Sequence, residues 1–281
     1  MKEAQRKPVK VFEYEAFPKE FRVKLDYALS WALRPFVEYS YEHGHSPVQD
    51  LGHFLAEEHA RYDFENRSLG ELVLQDYTVV LDLIEATWVL VAERDAHSAE
   101  ALTAKINDLF AEYGLGYKLH DGQVLRVDTP VLTELAIEPA LTLLSERGFE
   151  QAEKEFHDAV HHLRSNNPGD AVMWANAAFE STMKVILRAR KVAFDEKNDT
   201  AKPLIRKVLA VPGLVPPHLS SYANNLAEVF QGLPTFRNRT PPAHGQGTSP
   251  SSMEREDAQF ALNLAATFIV FLAGRHRSLK R

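Results

Sequence analysis

Apolar residues along this chain recur mostly at three- and four-residue steps, the period of an amphipathic helix. Residues 1–16 read as an irregular lead-in. Pro18 then opens a helix that buries Phe21, Leu25, Leu29 and the Trp31 to Leu33 turn. A loop over residues 43–52 separates it from a short helix, His53 to Ala60. One long helix is expected from Ser68 to Ala92, carrying Leu72, Leu74, Val79, Leu83, Ile84 and Trp88. Ser98 caps the next, whose apolar stripe is Leu102, Ile106, Leu109 and Phe110, and Gly114 ends it. From Tyr117 to Val127 the period changes. Asp121-Gly122 falls between two β-prone runs, a strong hairpin signal and the one sheet expected in the chain.

Helical periodicity returns near Leu132. Beyond residue 149 it predicts Phe149 to Ser165, a break at Pro168-Gly169, then Ala171 to Lys191, Ala201 to Val208, Pro217 to Gln231 and Met253 to Arg275. Short polar or Pro-Gly links join these segments, as in an antiparallel bundle. The fold is therefore expected to be mostly α. A helical N-terminal region (residues 1–148), with its hairpin near 116–128, precedes a C-terminal helical bundle (residues 149–281).

Two helices invite closer reading. In Ala171 to Lys191, the residues Asn176, Glu180, Lys184 and Arg188 form one line, opposite an apolar face of Val172, Ala175, Phe179 and Ile186. From pattern alone that line is a solvated, salt-bridged stripe. In the last helix, Ala258 to Gly274 is nearly all apolar but short for a bilayer, which needs about 20 residues. Gln259, Asn263 and Thr267 give it a polar stripe. A buried bundle helix, with Phe260, Leu264, Phe268 and Phe271 filling the core, explains this pattern better; no membrane partner is expected.

Charge changes the picture more than bulk composition does. The net charge of −7 hides an asymmetry. Residues 1–148 hold 15 Lys and Arg against 26 Asp and Glu, a net of −11, whereas residues 149–281 hold 17 against 13, a net of +4. A polyanion needs a local basic surface rather than a basic protein, so the C-terminal half is where nucleic acid would bind. The absence of cysteine excludes disulfides, thiolate ligands and a Cys nucleophile, and suits a reducing cytosol. Met1 to Lys7 is polar and leads into no apolar run, so no secretion signal is expected and the cytoplasm is the expected compartment.

His157-Asp158-Ala159-Val160-His161 imitates a zinc-hydrolase helix, but Asp stands where the longer Glu acts as base and no third ligand is evident. His43, His45, His53 and His59, with Glu57 and Glu58, make a second histidine-rich patch of the kind that usually binds nothing specific. No P-loop, dinucleotide fingerprint or nucleophile elbow is present. Neither a cofactor nor a metal is expected.

The segment Phe236-Arg237-Asn238-Arg239-Thr240-Pro241-Pro242-Ala243-His244-Gly245-Gln246-Gly247 carries the chemistry that remains. Arginine is a permanent, fork-shaped cation matched to phosphate oxygens, and histidine moves protons near neutral pH. Together they suit attack on a phosphodiester. Arg239 also stands in register with His244, with four residues between them.

Arg-Asn, five residues, then His-Gly resembles the signature of HEPN domains, specifically the abortive-infection C-terminal type of bacterial phage-defence proteins. Ala178-Phe179-Glu180-Ser181-Thr182-Met183-Lys184, Thr200 to Ile205 and Gly232 to Thr235 look like other blocks of that family. Phe17 to Val23 and Tyr117 to Asp128 look like its longer members. Pro241-Pro242 is a departure, standing where glycines are common and stiffening the loop.

The resemblance implies a metal-independent endoribonuclease with Arg237, Asn238 and His244 at the active site. Glu180 and Lys184 would support them, Glu180 by orienting His244 or pairing with Arg237. It also implies RNA as substrate, a homodimer, and an antitoxin or sensor protein as a further partner class. A non-catalytic HEPN-like module that binds RNA or protein, or drives dimerisation, is the alternative.

Overall fold

A computed structural model describes residues 16–43, 46–59, 62–127, 132–216, 218 and 253–279. The chain divides into two compact units, Met1–Asp128 and Thr129–Arg281. Among the described residues there are ten α-helices and a single two-stranded hairpin, so the fold is mostly α as the periodicity requires.

In the first unit, α1 (Lys19–His43), α2 (Pro47–Glu58), the one-turn α3 (Leu69–Leu72), α4 (Tyr77–Ala92) and α5 (Ala96–Glu112) precede strands β1 (Tyr117–His120) and β2 (Gln123–Arg126). α1 buries Phe21, Leu25, Leu29 and Leu33 as expected, while Trp31 is half-buried. Phe17, Phe21, Phe110, Tyr113, Tyr117 and Tyr77 form a chain of ring contacts in this core.

Three helix boundaries of this unit differ from the sequence expectation, because caps and a proline compete with periodicity. The segment from Ser68 to Ala92 is two helices, not one. Ser68 and Glu71 close a capping box on α3, and the Asp76 carboxylate accepts from Thr78 and Val79 N–H, restarting the chain as α4. Leu74 lies in the turn between them and is 64% exposed. Asp95, not Ser98, caps α5, accepting from His97 N at 3.1 Å. α2 begins at Pro47 behind Ser46, within the segment read as loop, because proline at a first helical position fixes φ and gives up no needed donor.

Asp121 (φ 44°) and Gly122 (φ 81°) form the tight turn of the hairpin, which pairs Tyr117 with Arg126 and His120 with Gln123. A Cβ at residue 122 would lie 2.5 Å from the Trp88 ring, so glycine also permits the turn to sit on α4. Asn107 of α5 bonds both Leu119 N and Leu119 O, and Glu85 of α4 accepts from Val124 N at 2.6 Å. Two polar side chains thus replace the missing neighbouring strands.

The second unit starts with a π-helical turn (Thr133–Ile137) running into α6 (Glu138–Leu144). Then come α7 (Glu150–Arg164), α8 (Pro168–Ala189), α9 (Ala201–Leu209) and α10 (Arg255–Ser278). Pro168, read as a break, is the first residue of α8. α8 is central, packed against α7, α9 and α10.

The buried stripe of α10 corrects the expected one. It is Ala258, Ala261, Leu262, Ala265, Ala266, Ile269, Leu272, Ala273 and His276. Phe260 is 58% exposed, and Leu264, Phe268 and Phe271 are only partly buried. α8 offers Ala171, Ala175 and Ala178 among its buried residues, so small side chains let helix backbones approach closely while the rings flank the contact. Phe268 meets Phe179 at a centroid distance of 5.8 Å. α10 is long and apolar enough to cross a membrane on length and composition, but its buried face is a packing surface of this unit.

Candidate active site

Arg237, Asn238, Arg239 and His244 lie outside the described residues, as does all of the expected helix Pro217 to Gln231 except His218. What the structure describes is the frame on α7 and α8.

Val172, Ala175, Phe179 and Ile186 face the core, as expected. Glu180, on the other side of α8, is half-buried rather than solvated. Its Oε1 accepts a hydrogen bond from Ala201 N at 2.8 Å, the first amide of α9. Thr200, in the capping position of α9, makes no side-chain cap. Glu180 therefore does the capping from a neighbouring helix, where a helix N-terminus favours negative charge.

Burial raises the Glu180 pKa above the ordinary carboxylate value. The Ala201 N–H and the Lys184 charge oppose that shift, and the nearby Glu155 carboxylate adds to it. Glu155, on α7, is itself buried. Its Oε1 accepts from Gln151 Nε2 at 2.8 Å, while Oε2 has no hydrogen-bond donor among the described residues.

Lys184 and Arg188 both turn to the connection between α8 and α9. Lys184 Nζ donates to Glu196 O at 2.9 Å, and the Arg188 guanidinium pairs with the Glu196 carboxylate. Asp195 then accepts from Lys197 and Asn198 N–H, folding the connection on itself. Glu180 and Lys184 thus fix where α9 starts, a role that periodicity on one helix does not reveal.

Just beyond Arg188, at the C-terminal cap of α8, Arg190 bonds His276 through both its imidazole and its carbonyl, at 3.3 and 3.1 Å. Arg275 reaches the Gly213 and Leu214 carbonyls. Arg190 thus ties the C-terminal ends of α8 and α10 together, and Arg275 ties α10 to the segment that follows α9, both with side chains that complement helix dipoles.

The histidine-rich elements resolve differently. His161 Nδ1 lies 3.1 Å from the Arg164 guanidinium, so that nitrogen already serves a permanent cation. His53 is exposed, 3.7 Å from Glu65. His59 is the exception. Its Nε2 is 2.9 Å from Oδ2 of Asp82, a carboxylate buried within apolar α4. That carboxylate raises the His59 pKa, and burial opposes it without prevailing. A lone aspartate in the run Val79-Val80-Leu81-Asp82-Leu83-Ile84 was the available signal for a paired partner.

Residues 2–142 match the family model of AbiJ N-terminal domain 4, and residues 150–276 match that of the abortive-infection HEPN-like domain. The chain belongs to the AbiJ-type family of abortive-infection proteins. In this abortive-infection protein the HEPN-like match contains both the described frame and the Arg237 to His244 segment. No curated protein and no solved structure matches the chain.

Proposed function

We propose that this abortive-infection protein is a metal-independent endoribonuclease that acts in phage defence or a toxin-like growth arrest. The observation that carries the reading is the set Arg237-Asn238, five residues, His244-Gly245, lying within the stretch that matches the HEPN-like domain. The RNA 2′-hydroxyl oxygen attacks the adjacent phosphorus, and the bond to the 5′-oxygen of the next nucleotide breaks. The products are a 2′,3′-cyclic phosphate and a 5′-hydroxyl. His244 takes the 2′-hydroxyl proton or supplies one to the leaving oxygen. Arg237 stabilises the charge that builds on the phosphate, and Asn238 orients the histidine or binds phosphate.

Glu180 and Lys184 support the site indirectly, by fixing α9 against α8. One protomer offers a single titrating group at the motif, so a two-fold homodimer that faces two motifs across one groove supplies both an acid and a base. The cytoplasm is the expected compartment, and an antitoxin or sensor protein the expected regulator.

The test is incubation of pure protein with bulk cellular RNA in excess EDTA. Wild type cleaves, and His244→Ala and Arg237→Ala lose at least about 100-fold in rate, as expected for a general acid–base group and a charge stabiliser. Full activity in Arg237→Ala with loss in Arg239→Ala would move the working arginine by two positions. If none of the three matters, the protein is a non-catalytic HEPN-like module, a reading that the stiff Pro241-Pro242 loop would then explain.

A further inference from the structure

The first unit carries an apolar groove between α1 and α5, floored by the core residues Ala28 and Leu109. It is lined by Val23, Tyr27, Ala28, Trp31 and Leu109, with Lys105 and Asp108 on the rim, and encloses about 450 Å³. Val23 is 63% exposed and Tyr27 72% exposed, two large apolar side chains one helical turn apart that nothing among the described residues covers. Singly exposed apolar residues are ordinary, but a contiguous exposed ridge beside a groove marks an interaction surface.

Charge narrows the choice of occupant. Residues 1–148 carry a net −11, so most of this surface repels a second copy as well as any acidic partner. The groove is where that repulsion is absent. Lys24 Nζ pairs with Glu112 at 2.5 Å on one side, and the rim on the other side carries one charge of each sign, Lys105 and Asp108. Lys105 has no carboxylate partner among the described residues; its ammonium lies 4.7 Å from the Trp31 ring centroid.

The pattern is also self-complementary. α1 and α5 run antiparallel, since Lys24 meets Glu112 at one end and Trp31 meets Lys105 at the other, seven residues further on each helix. Val23, Tyr27 and Trp31 stand at i, i+4 and i+8, symmetric about Tyr27. A two-fold axis crossing both helices at the level of Tyr27 sets Val23 of one copy against Trp31 of the other. It sets Tyr27 against Tyr27, and Lys105 against Glu112, twice. An isologous interface demands this kind of palindromic arrangement.

We propose that the α1–α5 groove is a self-association surface whose occupant is the same groove of a second copy. It is distinct from any pairing of the HEPN-like bundle and brings the N-terminal units of two molecules together. Lys105–Glu112 contacts set its register, and the Val23–Tyr27–Trp31 ridge supplies its apolar centre.

The absence of cysteine makes the test direct. Tyr27→Cys places one thiol at the proposed axis of the full chain, and mild oxidation links two copies only if those thiols meet. The expected result is a dimer linked by a disulfide at position 27. A control thiol at Glu100→Cys, on the exposed start of α5, stays unlinked under the same conditions. Adding Lys105→Glu or Glu112→Lys to Tyr27→Cys should each lower the cross-linking yield about tenfold through like-charge contacts. Mixing the two variants should restore it, because each then faces an opposite charge. Equal linking at positions 27 and 100, or yields indifferent to charge and mixing, overturns the proposal. So does a thiol at position 27 that is shielded from thiol reagents yet unlinked, which would mean that something else fills the groove.

Discussion

The two units differ in what accompanies the Leu, Val and Ile residues of their cores. The core of residues 1–128 adds rings, with Phe17, Phe21, Phe64, Phe110 and Tyr117 buried among its helices and hairpin. The core of residues 129–281 is rich in alanine, with Ala152, Ala159, Ala171, Ala175, Ala178, Ala258, Ala261, Ala265 and Ala266 buried along long helices. Large rings fill the space where α1, α5 and the hairpin meet. Alanine lets packed helices approach closely. The first design fails by losing volume, and the second by gaining it.

Phe21→Ala sharpens that contrast most. Phe21 is fully buried and touches Phe17, Phe110 and Tyr113, so its loss should cost about 3–5 kcal/mol. Hydrogen exchange read by mass spectrometry should accelerate in peptides of residues 16–127 and leave α8 protected. Uniform acceleration across both units would break the comparison. Ala175→Leu is the reverse change. Overpacking the buried face of α8 should cost about 1–3 kcal/mol, confined to the second unit. A neutral Ala175→Leu would mean that the alanine stripe holds space to spare.

The smallest effects distinguish the units by pH. His59 and Glu180 both have raised pKa values, so each contributes stability at low pH that is lost as pH rises through its folded pKa. The windows differ. Glu180 costs the second unit stability as pH climbs above the carboxylate range, and His59 costs the first unit stability as pH climbs above about 6.5, the ordinary histidine value. Glu180→Gln keeps an oxygen for Ala201 N and removes the buried charge, so it should flatten the acidic part of the stability profile of the second unit. His59→Asn should flatten the near-neutral part of the first, by about 1 kcal/mol for a partly solvated pair. Thermal melts between pH 4 and 8 check both; an unchanged slope in either variant removes that group from the account.

Much of this was legible in the sequence, and the failures share a cause. Periodicity located the helices and Asp121-Gly122 located the hairpin, because both signals are local. Caps moved the boundaries: Asp76, Asp95 and Ser46 satisfy helix-end amides that a hydrophobic pattern ignores. The buried face of α10 escapes a reading by side-chain size, because size points to the phenylalanines whereas close helix packing selects the smallest residues. Glu180 was legible as a residue of interest, but its partner Ala201 is 21 positions away and only the fold joins them. The Arg237 to His244 segment lies outside the described residues, so its reading rests on residue types and resemblance.

The central claim is chemical, and the ends of cleaved RNA test it most directly. A defined RNA incubated with the full chain in EDTA should yield fragments ending in a 2′,3′-cyclic phosphate and beginning with a 5′-hydroxyl, with none from His244→Ala. Fragments bearing 5′-phosphates, or cleavage that persists unchanged in His244→Ala, would contradict it.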